Sequence, residues 1–254
     1  AKQKAKLAAV PVKYKMEKVK STKNVDIYAV TVDCAGPRPV TGYLTIPVGA
    51  KDKSLGAYAF YQGYGTPIPK PPQDGPRSQI RFHVNAHGCD LGKDDAYYND
   101  FYAKIKSNGQ IYAFDKKQNS DPENTYFNGL VVSGGSQGGL QTIWAAALDS
   151  DVSRADSSIT WCCDFAGPTK GRLNGWRPDY VPALNYYDSV FHAKRIKCPI
   201  VISRAGLGDY VCPPSGLAIL YNNIPSAQKK INWVQGSTHG FVPKNAQKFV
   251  VEKK

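Results

Sequence analysis

The chain has 254 residues, 42% of them hydrophobic and 21% charged, a composition typical of a folded globular domain and not of a disordered or fibrous protein. Its formal net charge of +13 could indicate a nucleic-acid partner, but the excess lysines lie at the two ends of the chain and form no stripe interleaved with aromatic residues. This distribution of lysines argues against a nucleic-acid partner. No apolar run is long enough to span a membrane, so we do not expect a membrane as a partner either.

Two regions are predicted along the chain. Residues 1–24 form a basic N-terminal arm, with seven lysines and one glutamate among the first twenty residues. Residues 25–254 form a single α/β domain of ordinary size. This domain begins with two antiparallel strands within residues 25–47. From residue 57 onward strand and helix patterns alternate, which favours a mostly parallel central sheet with helices on both faces.

A glycine-containing loop follows the strand predicted at residues 57–61. The loop reads Gln62-Gly63-Tyr64-Gly65, and glycines on both sides of Tyr64 allow its backbone to approach a bound group closely. The backbone N–H of Tyr64 is therefore a candidate donor to a developing oxyanion. The alternative is an ordinary glycine turn that carries a surface tyrosine.

Residues 134–138 have the form Gly-x-Ser-x-Gly, between a strand-like run at 130–133 and a helical pattern at 140–148. A strand, a sharp turn, a serine and a helix form the context in which this motif presents a nucleophile. The glycines at 134 and 138 remove Cβ atoms that would clash in the turn. We therefore predict that Ser136 is a nucleophile and that the backbone N–H of Gln137 is the second oxyanion donor.

A serine nucleophile needs a base and an acid, which follow it in chain order in hydrolases with this turn. His239 lies on a loop directly after a strand-like run at 231–234, and we prefer it to His192, which reads as a packing histidine. Asp209 follows a buried-strand pattern at 199–203 and is the preferred acid. The competing carboxylates are Asp164, after a strand predicted at 159–163, and Asp188; either could instead be a cap or turn aspartate.

The segment 166–188 is rich in aromatic residues, glycine and proline. Trp176 and Tyr180 in this segment could bind sugar rings, and Pro213 after the acid could line the same pocket; ordinary loop packing is the equally weighted alternative. The final segment, residues 243–254, is predicted to be a short helix with Phe249 and Val250 facing inward. The six cysteines show no Cys-x-x-Cys spacing, so no metal site is expected.

Together these motifs resemble the acetyl xylan esterase and cephalosporin C deacetylase group, carbohydrate esterase family 7 of the α/β-hydrolase superfamily. The resemblance runs from about residue 25 to the C-terminus. It is carried by residues 134–139, 163–165 and 185–188, and above all by 206–215, Gly-Leu-Gly-Asp-Tyr-Val-Cys-Pro-Pro-Ser. The chain departs from the family pattern at His87-Gly88-Cys89 and at Gly240, where the family usually has Arg-Gly-Gln and Glu.

The resemblance implies an α/β-hydrolase fold, with Ser136 as the nucleophile, Asp209 as the acid, His239 as the base, and Tyr64 and Gln137 as oxyanion donors. It implies a serine esterase that removes acetyl groups from acetylated xylo-oligosaccharides or related sugars without a cofactor. Two alternatives remain open: a feruloyl or other short-acyl hydrolase of the same fold, and a low-turnover carbohydrate-binding protein. A homo-oligomer is possible. The chain begins with Ala1 and not with Met, and an exported protein, secreted or periplasmic, is expected rather than a cytoplasmic one.

Overall fold

The computed structural model describes residues 5–6, 8–11, 13–33, 39–52, 54–63, 68–85, 88–105, 131–178 and 180–253. The chain divides into two compact units. The first unit comprises Ala1–Phe60 and Gly65–Phe127, and the second comprises Tyr61–Tyr64 and Asn128–Lys254. Within the described part of the chain, no helix has both the length and the apolar composition needed to cross a membrane.

The first unit is built mainly from antiparallel strands. Strand β1 pairs with β2, β2 with β3, and β3 with β5, each in the antiparallel sense. Strand β4 is the further neighbour of β5, and the helix α1 follows β5 in the chain. The bounds are β1 Tyr14–Ser21, β2 Val25–Val32, β3 Val40–Pro47, β4 Gly56–Tyr61, β5 Gln79–Val84 and α1 Asp95–Ile105.

Among the described residues of this unit, two apolar clusters belong to the core. Val25, Ile27 and Tyr43 pack together where β2 meets β3. Cys89 packs with Tyr98 and Tyr102 of α1 in the second cluster. The two strands predicted within residues 25–47 are confirmed as β2 and β3. Residues 14–21, assigned to the basic arm from sequence, form the exposed strand β1; the proposed boundary after residue 24 stays a prediction.

The second unit is built mainly from parallel strands. Strands β6, β7, β8 and β9 pair in that order in the parallel sense, and β10 adds an antiparallel edge to β9. The last residue of β4, Tyr61, belongs to this unit. The strand bounds are β6 Val131–Gly135, β7 Arg154–Ser158, β8 Ile200–Gly206, β9 Lys229–Val234 and β10 Lys248–Glu252.

In the part of this unit that the structure describes, three helices and two short 3₁₀ turns connect the strands. The bounds are α2 Gln137–Leu148, α3 Ser189–Ala193 and α4 Pro214–Asn223, with 3₁₀ turns at Gly167–Lys170 and Pro182–Tyr186. Helix α2 buries Leu140 and Ile143, as its apolar spacing predicts. The strands between the helices bury Val132, Ile202 and Ile231 almost completely, so the core lies between sheet and helices.

Two sequence-based expectations about secondary structure are wrong. The predicted helix over residues 243–254 is instead the edge strand β10, whose five residues are all exposed, including Phe249 and Val250. Aromatic and β-branched residues favour an extended strand, and β9 supplies the partner for its backbone. The strand predicted at 159–163 lies earlier, as β7, and the apolar residues that follow it form an irregular segment.

Candidate active site

Ser136 lies in the sharp turn between β6 and α2. Its backbone has φ 57° and ψ −118°, a sparsely populated conformation for a residue with a side chain, which costs of order 1–3 kcal/mol and persists only where surrounding contacts enforce it. The turn is crowded, since a Cβ on Gly134 would lie 2.5 Å from the Gly138 backbone and one on Gly138 would lie 2.1 Å from the Tyr61 oxygen. Both glycines are therefore required by close approach, as the sequence motif predicts.

The strained serine is held by the segment that follows β7. The N–H of Ser136 donates to the Ser158 carbonyl at 2.9 Å, and the Ser136 carbonyl accepts from the Trp161 N–H at 3.0 Å. This bracing segment, residues 158–164, is itself strained, with positive φ at Ile159 and Cys162. Sequence reasoning missed this role, because the apolar run at 159–163 has the pattern of a buried strand.

The structure brings Ser136, His239 and Asp209 into one line of hydrogen bonds. His239 Nε2 lies 3.0 Å from Ser136 Oγ, and His239 Nδ1 lies 3.0 Å from Asp209 Oδ2. The three residues follow β6, β9 and β8, whose carboxyl ends meet at one rim because the strands are parallel. This arrangement allows the imidazole to accept a proton from the serine while the carboxylate holds the Nδ1–H tautomer.

Asp209 is completely buried and fully hydrogen-bonded. Its second oxygen, Oδ1, accepts from the backbone N–H groups of Val211 and Cys212, each at 2.9 Å. A buried carboxylate needs such donors, because leaving it unpaired would cost several kcal/mol. The two backbone donors fix the carboxylate in a position from which its other oxygen reaches His239.

The loops that carry the acid and the base are joined directly. The Gly208 N–H donates to the Ser237 carbonyl at 3.0 Å, and a Cβ on Gly206 would lie 2.5 Å from the same oxygen. The Arg204 guanidinium donates to the His239 carbonyl at 2.8 Å, a contact that was not predicted from the sequence. The loop that carries His239 is therefore held both by β8 and by the loop that carries Asp209.

The structure describes one of the two predicted oxyanion donors, Gln137. Gln137 is the first residue of α2, so its backbone N–H has no intrahelical acceptor and lies directly after Ser136. Tyr64 lies outside the described residues. The loop before Tyr64 approaches the turn that carries Ser136 closely, since a Cβ on Gly63 would lie 3.1 Å from the Gly135 oxygen.

The residues expected to bind substrate occupy different environments. Tyr180 is 56% exposed, and its hydroxyl accepts a hydrogen bond from Asn185 at 2.9 Å. Trp176 is half-buried, and its backbone N–H donates to the Val211 carbonyl in the loop after Asp209. Pro213 is buried at the start of α4. The aromatic segment is thus anchored to the acid loop, while the binding roles stay predictions.

The competing acids and the competing histidine are engaged in other contacts. Asp164 forms an ion pair with Arg172. Asp188 caps α3 and accepts three backbone N–H bonds, from Asp164, Phe165 and Val190. His192 Nε2 lies 2.6 Å from the Tyr186 carbonyl. The cap at Asp188 is the alternative role that the sequence offered for that residue, whereas the ion pair of Asp164 was not predicted.

Cys212 is a further residue at this site that sequence reasoning did not single out. Its side chain is buried and lies close to that of Ser136. Burial, together with the nearby charge of Asp209, raises the pKa of the Cys212 thiol well above its ordinary value. A signal was available, since the Asp-x-x-Cys spacing lets the carboxylate cap the Cys212 N–H and so brings the thiol back to the site.

Part of the chain is similar in sequence to acetyl esterases. A family model described as acetyl xylan esterase (AXE1) matches residues 177–252. A curated relative, the acetyl esterase Axe7A of Xylanibacter ruminicola, is 33% identical over 112 residues, which is 40% of this chain and 25% of the relative. The chain thus matches about a quarter of the length of that relative.

Two solved structures extend the likeness to nearly the whole chain. An acetyl xylan esterase from Paenibacillus sp. R4 has a TM-score of 0.65 at 21% identity, covering 95% of this chain and 88% of that chain. Acetyl xylan esterase 1 from Thermoanaerobacterium sp. JW/SL YS485 has a TM-score of 0.60 at 18% identity, covering 96% of this chain and 87% of that chain. The α/β-hydrolase fold and the resemblance to acetyl xylan esterases, both predicted from the motifs, are confirmed.

Proposed function

We propose that this chain, related to the acetyl xylan esterases through residues 177–252, is a serine esterase that removes acetyl groups from acetylated xylo-oligosaccharides or related sugars. The observation that carries the proposal is the line of two 3.0 Å hydrogen bonds from Ser136 through His239 to Asp209. The names of the relatives support acetyl as the acyl group that is transferred to Ser136 and then released as acetate.

In the first half of the reaction, Ser136 Oγ attacks the carbonyl carbon of the acetyl ester. His239 Nε2 takes the hydroxyl proton as the C–O bond forms, and the Asp209 carboxylate stabilises the resulting imidazolium through Nδ1–H. The imidazolium then returns the proton to the departing sugar oxygen. The products of this half are a free sugar hydroxyl and an acetyl group bonded to Ser136.

In the second half, water releases the acetyl group. His239 removes a proton from the water as it attacks the acetyl carbonyl, and then returns that proton to Ser136 Oγ. The Gln137 N–H, and the Tyr64 N–H by the expectation from sequence, stabilise the oxyanion in both halves. One such donor is worth roughly 3–4 kcal/mol of transition-state stabilisation. No step draws on a metal or another cofactor.

The nucleophile assignment is tested with the variant Ser136→Ala. We expect release of acetate from acetylated xylan, and hydrolysis of a chromogenic acetate ester, to fall by about 10⁴-fold or more. The matched control is Ser54→Ala, an exposed serine in a turn of the first unit, which should retain the activity of the unsubstituted protein. Equal rates for Ser136→Ala and the control would eliminate the assignment.

The alternatives predict different outcomes. A panel of acetyl, butyryl and feruloyl esters separates an acetyl esterase from a hydrolase of larger acyl groups, because the preferred acyl group gives the highest kcat/KM. A carbohydrate-binding protein would bind acetylated xylo-oligosaccharides in calorimetry and release no acetate. We expect an acetylated carbohydrate as the partner, with neither nucleic acid nor a membrane; a homo-oligomer is possible.

A further inference from the structure

Cys212 places a thiol beside the triad that the proposed reaction does not use. Its N–H donates to Asp209 Oδ1 at 2.9 Å, which fixes its backbone, and its side chain is only 2% exposed. The thiol lies close to the Ser136 side chain, which carries the reacting oxygen. Acyl transfer by Ser136 needs no sulfur atom at this position.

Asp209, Cys212 and His239 bring one oxygen, one sulfur and one nitrogen donor together. These three atoms all lie within 4.8 Å of one another. Zinc prefers sulfur, nitrogen and oxygen ligands at about 2.0–2.3 Å in a tetrahedral arrangement, which separates neighbouring ligands by about 3.3–3.8 Å. Side-chain shifts of about 1 Å would therefore close the group around a cation, and three protein ligands leave a fourth position for water.

A metal ion bound to this group would prevent His239 from acting as the base. If the cation binds His239 Nε2, it replaces the hydrogen bond to Ser136 and occupies the lone pair that would accept the serine proton. If it binds Nδ1, the single proton of the neutral ring moves to Nε2, and that nitrogen again cannot accept from Ser136. Either mode makes metal binding and esterase turnover mutually exclusive.

We propose that Asp209, Cys212 and His239 form an inhibitory site for a thiophilic divalent cation such as Zn²⁺. The metal–sulfur bond forms as the Cys212 S–H bond breaks and its proton passes to water, while the carboxylate and imidazole bind through lone pairs, with no oxidation or reduction. The binding site stands on the cluster alone; the inhibition rests on the esterase function proposed above.

The binding site is tested separately from activity, with Co²⁺ as a spectroscopic probe in the Ser136→Ala variant. This variant keeps all three ligands and is not expected to turn over substrate. We expect a saturable thiolate-to-cobalt charge-transfer band at one equivalent of Co²⁺, removed by adding Zn²⁺. The band should disappear when Cys212→Ser or Cys212→Ala is added to Ser136→Ala. The control adds Cys198→Ser instead, at a half-buried cysteine before β8, and the band should persist.

A band that is absent with Ser136→Ala, or that survives the loss of Cys212, overturns the site. Two substitutions at Cys212 are used so that a folding defect in one leaves the other informative, with circular dichroism as the check on folding. Inhibition is then measured as the Zn²⁺ concentration that halves each protein's own rate on a chromogenic acetate ester, reversed by a chelator. This concentration should rise at least about tenfold in Cys212→Ser and stay unchanged in Cys198→Ser.

The two proposals fail in different ways. An unchanged half-inhibitory concentration in Cys212→Ser overturns the inhibitory role, even where the esterase is active. A cobalt band that depends on Cys212, found together with no acetate release from the unsubstituted protein, supports the metal site and overturns the proposed function.

Discussion

Arg204 connects the backbone around Ser136 to the loop that carries His239. Its guanidinium donates to the His239 carbonyl at 2.8 Å, and its own carbonyl accepts from the Ile159 N–H at 2.8 Å. Ile159 belongs to the bracing segment that holds both backbone groups of Ser136. A single residue of β8 therefore connects the backbone around the serine with the loop that carries the imidazole.

The variant Arg204→Leu should lower kcat on a chromogenic acetate ester by about 10- to 100-fold with little change in KM. The reason is that a shift of the imidazole of about 1 Å from its productive position can cost about 10²-fold. The matched control is Arg195→Leu. Arg195 is exposed and also donates to a backbone carbonyl, that of Phe191 at 3.1 Å, but Phe191 lies on α3 and not on the loop of His239. A wild-type kcat in Arg204→Leu would show that this contact does not position the base.

Asp209→Asn is expected to lower kcat by about 10⁴-fold while the protein stays folded, because the amide no longer holds the Nδ1–H tautomer or stabilises the imidazolium. The comparison is Asp164→Asn, at the competing carboxylate paired with Arg172. We expect its kcat, per folded molecule, to stay within about tenfold of the unsubstituted protein. The opposite ranking of the two variants would move the acid to Asp164.

Gly138→Ala tests the close approach at the serine turn. A Cβ there would lie 2.1 Å from the Tyr61 backbone oxygen, which has no flexible side chain that could move aside. We expect a loss of unfolding free energy of about 3 kcal/mol or more, measured by urea denaturation. The control Gly56→Ala, where nothing lies within 4 Å of the added Cβ, should change stability by no more than about 0.5 kcal/mol.

Asp188→Asn should destabilise the fold more than it affects catalysis. The carboxylate is buried and accepts backbone N–H bonds at both oxygens, and an amide NH₂ group in place of one oxygen would face a donor. The expected cost is about 2 kcal/mol of unfolding free energy, the usual penalty for a buried group left without its partner. Asp151→Asn, on the exposed turn after α2, is the control and should be close to neutral.

The pH dependence of stability should carry a contribution from His192. Burial lowers its pKa, because its Nδ1 is buried without a hydrogen-bond partner among the described residues and a proton there would find no acceptor. A lowered folded pKa means that the unfolded chain binds the proton more tightly, so stability is lost as the pH falls below the unfolded value near 6.5. The unfolding free energy of His192→Gln should therefore fall less between about pH 7.5 and about pH 5.5. Identical slopes for the two proteins would contradict the prediction.

Local patterns predicted much of the fold. In β2, β3, β4 and β8, apolar residues either alternate with polar ones or form a short run bounded by glycine or proline. Each strand forms at the position that its pattern predicts. The serine turn is equally local, since the two glycines that it requires lie within two residues of Ser136. The pairing of His239 with Asp209 followed from chain order and strand ends, because parallel strands present their carboxyl ends at one rim.

The failures are places where distant contacts outweigh local preference. Residues 159–163 have the pattern of a buried strand, but Ile159 and Cys162 adopt positive φ, which β-branched and bulky residues otherwise avoid. The hydrogen bonds to Ser136 and Arg204 hold this conformation, and both partners are remote in sequence. Residues 248–252 form a strand because β9 offers them a backbone edge.

The sequence by itself determined the chemical groups of the site and the order in which the chain supplies them. Only the tertiary structure decided that the Cys212 thiol lies beside Ser136, that Arg204 holds the base loop, and that the bracing segment enforces the strained serine. The physical reason is one of range. Turn geometry and strand pattern depend on neighbouring residues, whereas these three contacts exist only after four strands have aligned their carboxyl ends and brought separate loops within bonding distance.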